Sequence, residues 1–265
     1  MGFLQDTAVE ALGNGRYRGR IAAGWDVVGN ANGGYLLGIA GRAMTLESGR
    51  PNPVALNAHF LSPGRPGEVT VEVETVKSGN RFTTLRGTML DASGKSMISL
   101  LGSFGDLAQL EGPQRIDAAP PDLPPPDECP RSEASETGFP PAMLSKIELR
   151  MHPEDGGFFQ GSPTQTPLFR GWFRLLDGEP IDTIALLLAV DAFPPPVFNA
   201  NLPIAWAPTL ELTTHIRGNP APGWLRCRFS SRFISGGLVE EDGEVWDDTG
   251  RLVAQSRQLA LAPKP

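Results

Sequence analysis

Between residues 68 and 74 the chain alternates strictly, with Val69, Val71 and Val73 on one side and Glu68, Thr70, Glu72 and Glu74 on the other. A period of two residues predicts a strand with one face buried. The same signature marks YRGRIAAGW, VALNAHFL, RFTTLRGTMLDA and KSMISLLGSFG around it. It returns later in LFRGWFRLLDG, LELTTHIRG, WLRCRFSSRFISGG, VEEDGEVWDD and RLVAQSRQLALA. Two stretches break this period. In NANGGYLLGIAGRAMTLES, Leu36, Leu37, Ile39, Ala40, Ala43 and Met44 predict a helix that is apolar nearly all round, hence buried. TIALLLAVDAF predicts a second buried helix, opened by Asp182 as N-cap and ended by the prolines at 194–196.

Each half therefore reads as a strand, a buried helix and a run of antiparallel strands. Residues 54–104, slid forward by 156 positions, fall without a gap on residues 210–260. His59 meets His215, Gly67 meets Gly223, Gly87 meets Gly243, Asp91 meets Asp247 and Gly94 meets Gly250. Gly94 and Gly250 both follow Asp-x-x between alternating runs, a hairpin position that wants a positive φ. A duplicated unit is expected. Residues 112–141 are crowded with proline and predict an extended connection that holds neither a helix nor a central strand. The expected division is an N-terminal unit over 1–111, a Pro-rich linker over 112–145 and a C-terminal unit over 146–265.

Composition narrows the function. Of the 265 residues, 40% are hydrophobic and 20% charged, which suits a packed core. The net charge of −7 lacks the positive field that drives nucleic-acid binding, though a local arginine cluster on an acidic protein can still hold phosphates. Cys129 and Cys227 have no metal-ligand spacing and suggest no disulfide framework, as in a reducing compartment. The start has no basic segment before an apolar core, and Asp6 stands where a myristoylation signal wants Ser or Thr. The longest apolar run, near 184–190, is too short to span a membrane. A cytoplasmic protein without a metal or other cofactor is expected. No G-x-S-x-G elbow, P-loop or dinucleotide fingerprint occurs. His59, His152 and His215 have no ligand partners at metal-binding spacing, and the equivalence of His59 with His215 suggests packing.

The motifs NGGYLLGIAGRAM, NAHFLSPG, VETVKSGNRFTTLRG and GKSMISLLGSFG, followed by TLELTTHIRG and GEVWDDTGRLVAQSRQ, resemble in order and spacing those of the bacterial acyl-CoA thioesterase II family. The likeness spans nearly the whole chain except the linker. It implies an α+β double hotdog: two tandem hotdog units, each an antiparallel sheet wrapped around a central buried helix, with the sheets joined edge to edge. It also implies thioester hydrolysis by an aspartate, a Thr or Ser, and a glutamine that together hold and polarise a water. Carried over by position, the acid falls on Glu211, the hydroxyl on Ser231 and the amide on Gln258. Glutamate for aspartate and serine for threonine depart from the pattern, the serine losing the methyl that locks the rotamer. The first half would lack a working copy, with Ala55 and Gly102 opposite Glu211 and Gln258, and Thr75 opposite Ser231.

On this reading Glu211 is the general base, and Gln258 and Ser231 hold the water. The start of the first helix, Gly33-Gly34-Tyr35, offers free N–H groups and the positive helix end for a developing oxyanion, with the N–H of Gly34 or Tyr35 as donor. Close packing against a sheet would explain the paired glycines equally well. Arg81, Arg86, Arg217 and Arg232 are candidate contacts for the CoA phosphates, with plain surface solubility as the alternative for each. The expected partner is an acyl-CoA, and exposed sheet edges leave a homo-oligomer open. The competing readings are a non-catalytic acyl-CoA or lipid-binding hotdog protein and a dimeric scaffold. A hotdog hydratase would need an Asp-His pair that the sequence does not offer.

Overall fold

The computed structural model describes residues 2–135 and 140–264. The chain opens with one helical turn, α1 (Phe3–Asp6), then strands β1 (Glu10–Gly13) and β2 (Arg16–Ile21). A short ribbon, β3 (Asp26–Val27) and β4 (Asn30–Ala31), leads into the long helix α2 (Gly33–Ser48). Strands β5 (Asn52–Phe60), β6 (Gly67–Ser78), β7 (Thr83–Asp91) and β8 (Ser96–Gly105) complete the first half. The second half comprises β9 (Arg131–Ser132), β10 (Ile147–Met151), β11 (Leu168–Leu175), a short helix α3 (Ala185–Ala189), β12 (Thr209–Ile216), β13 (Leu225–Ser230), β14 (Ile234–Ser235), β15 (Leu238–Trp246) and β16 (Leu252–Leu261). No helix among the described residues is long and apolar enough to cross a membrane.

The main strands form one continuous antiparallel sheet in the order β1-β2-β6-β7-β8-β5-β12-β16-β15-β13-β11-β10-β9. Helix α2 packs on β2, β5, β6, β7 and β8 and against α3, and two hotdog units stand side by side and share a sheet through β5 and β12. At this seam Asn57 pairs with Thr213, its own counterpart 156 residues on, and their side chains bond at 2.9 Å. His59 pairs with Glu211 and Ala55 with His215, the pairs that an internal twofold through Asn57–Thr213 requires. Joining two edges this way satisfies two rows of backbone groups that would otherwise be open to other chains.

The duplicated turns share their chemistry. Gly94 and Gly250 have φ of 84° and 81°. Each N–H returns to the carbonyl of Asp91 or Asp247, at 2.9 and 3.0 Å. The carboxylates of these aspartates accept from the backbone of Ser93 and Lys95, and of Thr249 and Arg251.

Helix α2 starts where Asn32 accepts the N–H of Tyr35 at 2.9 Å, and it stops at Gly49, whose φ of 62° places it in the left-handed region. The Tyr35 ring stacks on Trp25, and its hydroxyl donates to the Asp6 carbonyl at 2.8 Å. Helix α3 is shorter than the apolar run suggests. Asp182 does cap the segment, accepting the N–H of Ala185 at 2.7 Å, but the helix ends at Ala189, well before the prolines. The backbone leaves the helical path here, and Asp191 comes to face the first residues of α2.

The Pro-rich connection is docked. Trp172 donates to the Pro124 carbonyl at 2.9 Å and Arg150 to that of Pro126 at 3.0 Å. Residues 131–132 add the edge strand β9, and Met143 and Leu144 are buried in the core. His59 and His215, expected to pack, are exposed on the outer face of the seam. Both cysteines are buried and free.

Candidate active site

A cavity of about 400 Å³ opens where the two halves and the connection meet. Val27, Met143, Leu144, Phe193, Phe198 and Trp206 give it largely apolar walls. Its polar lining includes Asn32, Asp191, Thr209, Glu241 and Gln258. Asp191 leaves the end of the α3 segment, Thr209 begins β12, and Glu241 and Gln258 are cross-strand partners on β15 and β16. Strand alternation turns Gln258 inward, in line with the buried Ser256 and Ala260 and away from the exposed Arg257 and Leu259.

Asp191 is held by the opening of α2. Its Oδ2 accepts from the N–H of Gly34 at 2.7 Å and from Asn32 Nδ2 at 3.0 Å, and the nearby N–H of Gly33 adds to the pull on its proton affinity. Asn32 Nδ2 also reaches the Asp191 carbonyl at 2.8 Å. Gly34 must be a glycine because a Cβ there would stand 2.6 Å from the Leu187 carbonyl oxygen. Burial raises the Asp191 carboxyl to about 6, against the three donors, which pull it down. Glu241 is pushed well above the usual carboxylate range by burial first, then by the charges of Asp191, Glu240 and Asp242.

The expected triad does not converge. Glu211 pairs with Leu259 in register, whereas Gln258 pairs with Leu212, so the carboxylate and the amide lie on opposite faces of the sheet. Glu211 is part of the seam, where it accepts from Asn57 Nδ2 and from Thr213 Oγ1. Gln258 lines the cavity, with its Oε1 buried and unpartnered. Ser231 is buried on the inner face just past β13, its Oγ also unpartnered, but it does not line the cavity. Thr209, two residues before Glu211 in TLELT, does.

Two of the expected oxyanion donors are occupied. The N–H of Gly34 holds Asp191 and that of Tyr35 closes the Asn32 cap. Gly33 lines the cavity beside Asp191. The four arginines do not gather, and none lines the cavity. Arg81 lies in the turn between β6 and β7; Arg86 pairs with Glu74 at 3.4 Å, Arg217 donates to Gln255 at 2.9 Å, and Arg232 pairs with Asp242 at 3.2 Å. No group of His, Cys, Asp or Glu among the described residues could hold a metal.

Sequence reading missed Asp191, Thr209 and Glu241. A signal existed for Asp191: it is a lone acid closing the apolar run ALLLAV, and a carboxyl in such company needs a partner or a task. Thr209 and Glu241 carried none, since polar residues on strands are common.

Residues 124–262 match the profile of the acyl-CoA thioesterase C-terminal domain, and residues 21–105 that of the acyl-CoA thioesterase N-terminal domain. Among solved structures, a protein of Thermobifida fusca assigned as a thioesterase II is 31% identical, with 99% of this chain and 97% of that one covered at a TM-score of 0.89. An Alicyclobacillus acidocaldarius protein described as a hot dog fold of unknown function is similar at 22% identity and a TM-score of 0.88, covering 99% and 98% of the two chains. A thioesterase-like protein of Talaromyces wortmannii is 26% identical, over 98% of this chain and 91% of its own.

Proposed function

The chain belongs to the acyl-CoA thioesterase family, and on that premise we propose that it hydrolyses an acyl-CoA to the free fatty acid and CoA, with Asp191 activating the attacking water beside Thr209 and Gln258. The observation that carries this reading is the half-buried Asp191 carboxylate, fixed by the first residues of α2 on the lining of an apolar cavity. The aspartate, hydroxyl and amide that the resemblance implied are thus supplied by Asp191, Thr209 and Gln258 rather than by Glu211, Ser231 and Gln258.

A base must be ionised at the working pH and still basic enough to take a proton. At about 6, Asp191 meets both conditions near neutrality. It removes a proton from water as the oxygen attacks the thioester carbonyl carbon. The C–S bond then breaks, the electron pair leaves on sulfur, and the proton held by Asp191 is available to the departing thiolate. Thr209 and Gln258 orient the water. The apolar walls suit the acyl chain and exclude bulk water, which strengthens the electrostatics inside. Two free cysteines support a reducing, cytoplasmic setting.

The test is release of free thiol from acyl-CoAs of increasing chain length, by the wild type and by Asp191→Asn. Turnover that disappears in the variant supports the reading. Binding of acyl-CoA without turnover by the wild type would favour a carrier instead.

A further inference from the structure

We propose that Glu241 is a positioning residue of this site: it donates a carboxyl O–H to Gln258 Oε1, and so fixes the amide that faces the substrate. The inference rests on the thioesterase reading of the cavity and adds to it a residue that the water-activating set does not contain.

Two observations carry it. Glu241 and Gln258 are direct cross-strand partners on the inner face, and both line the cavity. Opposite side chains on neighbouring strands start about 5 Å apart, within reach of two long polar groups. Second, Gln258 is only 7% exposed, and its Oε1 has no hydrogen-bond partner. A buried amide oxygen lacking a donor is costly, and it calls for one. A carboxylate can only accept and leaves the amide oxygen unmet, whereas a neutral carboxyl has one donor to give.

The surrounding charges favour the neutral form. Asp191 faces Glu241 from the helical layer, and Glu240 and Asp242 flank it on β15. The nearby cations are engaged elsewhere: Arg257 on β16 and Arg232 after β13 both pair with Asp242, at 2.6 and 3.2 Å. No ion pair reaches Glu241 among the described residues. Two neighbouring carboxyls whose surroundings separate their proton affinities divide the work: Asp191 ionised as base, Glu241 protonated as donor.

The experiment compares wild type, Glu241→Gln and Glu241→Val by thiol release across pH, with folding checked by thermal unfolding. Glutamine keeps a donor and an acceptor but cannot ionise. It is expected to retain kcat within about threefold and to lose the alkaline fall that the wild type shows when Glu241 ionises. Valine removes the donor, and kcat should drop about tenfold or more. Difference infrared spectroscopy at about pH 8, above the Asp191 value, should show a neutral-carboxyl band in the wild type that Glu241→Gln lacks. Wild-type kinetics in folded Glu241→Val, or no such band, would overturn the inference. Absence of turnover by the wild type on every acyl-CoA would instead sink the hydrolase reading, while the infrared arm would still decide the state of Glu241.

Discussion

The Gly34 N–H donates to Asp191 Oδ2 at 2.7 Å, across 157 residues of sequence. One half supplies the donors of a helix start and the other supplies the acid. Neither half alone makes the site, so the proposed hydrolysis and the packing of α2 against the α3 segment stand or fall together.

Asp191→Asn keeps the shape and some of the hydrogen bonds but removes the base. Its kcat should fall by roughly a hundredfold to ten-thousandfold, the range for loss of a general base. Binding of acyl-CoA, read by calorimetry, should persist.

The wild-type pH profile should have an acid limb centred near 6, where Asp191 takes up its proton. Activity falls as pH drops through that value, because the protonated acid cannot accept from water. A limb near 4 would place the base on an ordinary exposed carboxyl.

The same group should cost stability. Its proton affinity is raised on folding, so the native state holds the proton more firmly than the unfolded chain. The contribution is then most favourable below the ordinary value of 3.8 and declines as pH rises through about 6. Asp191→Asn is therefore expected to melt higher than the wild type at neutral pH, by a few degrees, with the gap closing in acid. Equal melting temperatures at every pH would contradict the raised carboxyl.

Gly34→Ala should disrupt both roles of this position. The new Cβ would meet the Leu187 carbonyl oxygen at 2.6 Å and the Leu188 Cα at 2.9 Å. Backbone cannot swing aside as a side chain can, so the helices must part, at about 1–3 kcal/mol. Melting temperature and kcat should fall together.

Glu211 and Gln258 should separate cleanly. Glu211→Gln, on the outer face of the seam, is expected to leave kcat within about twofold of wild type. Gln258→Ala, inside the cavity, should lower it about tenfold or more. The reverse order would return the catalytic acid to the position that sequence reading suggests.

How much of this was legible in the sequence can be argued residue by residue. The alternation around Val69–Val71–Val73 and the apolar run through Leu36 and Met44 gave the strands and the long helix, because burial of one face imposes a period on the chain. The equivalence of Gly94 with Gly250 gave the duplication, because a positive φ is a local demand. The pairing of Asn57 with Thr213 was not given: the 156-residue offset makes them equivalent but does not say that they meet. The acid proposed as the base was not legible. Glu211 and Gln258 sit on strands that pair, and only the observed register, which sets Gln258 opposite Leu212, reveals that the two side chains leave on opposite faces.

The sequence by itself determined the repeated strand-and-helix plan, the buried helices and the turns, since each depends on residues close together in the chain. The tertiary structure alone decided which polar groups meet. Asp191 finds the start of α2, and Glu241 finds Gln258, through the crossing of two helices and the register of two strands. These are long-range relations, and a one-residue slip would reverse them while leaving every local pattern intact.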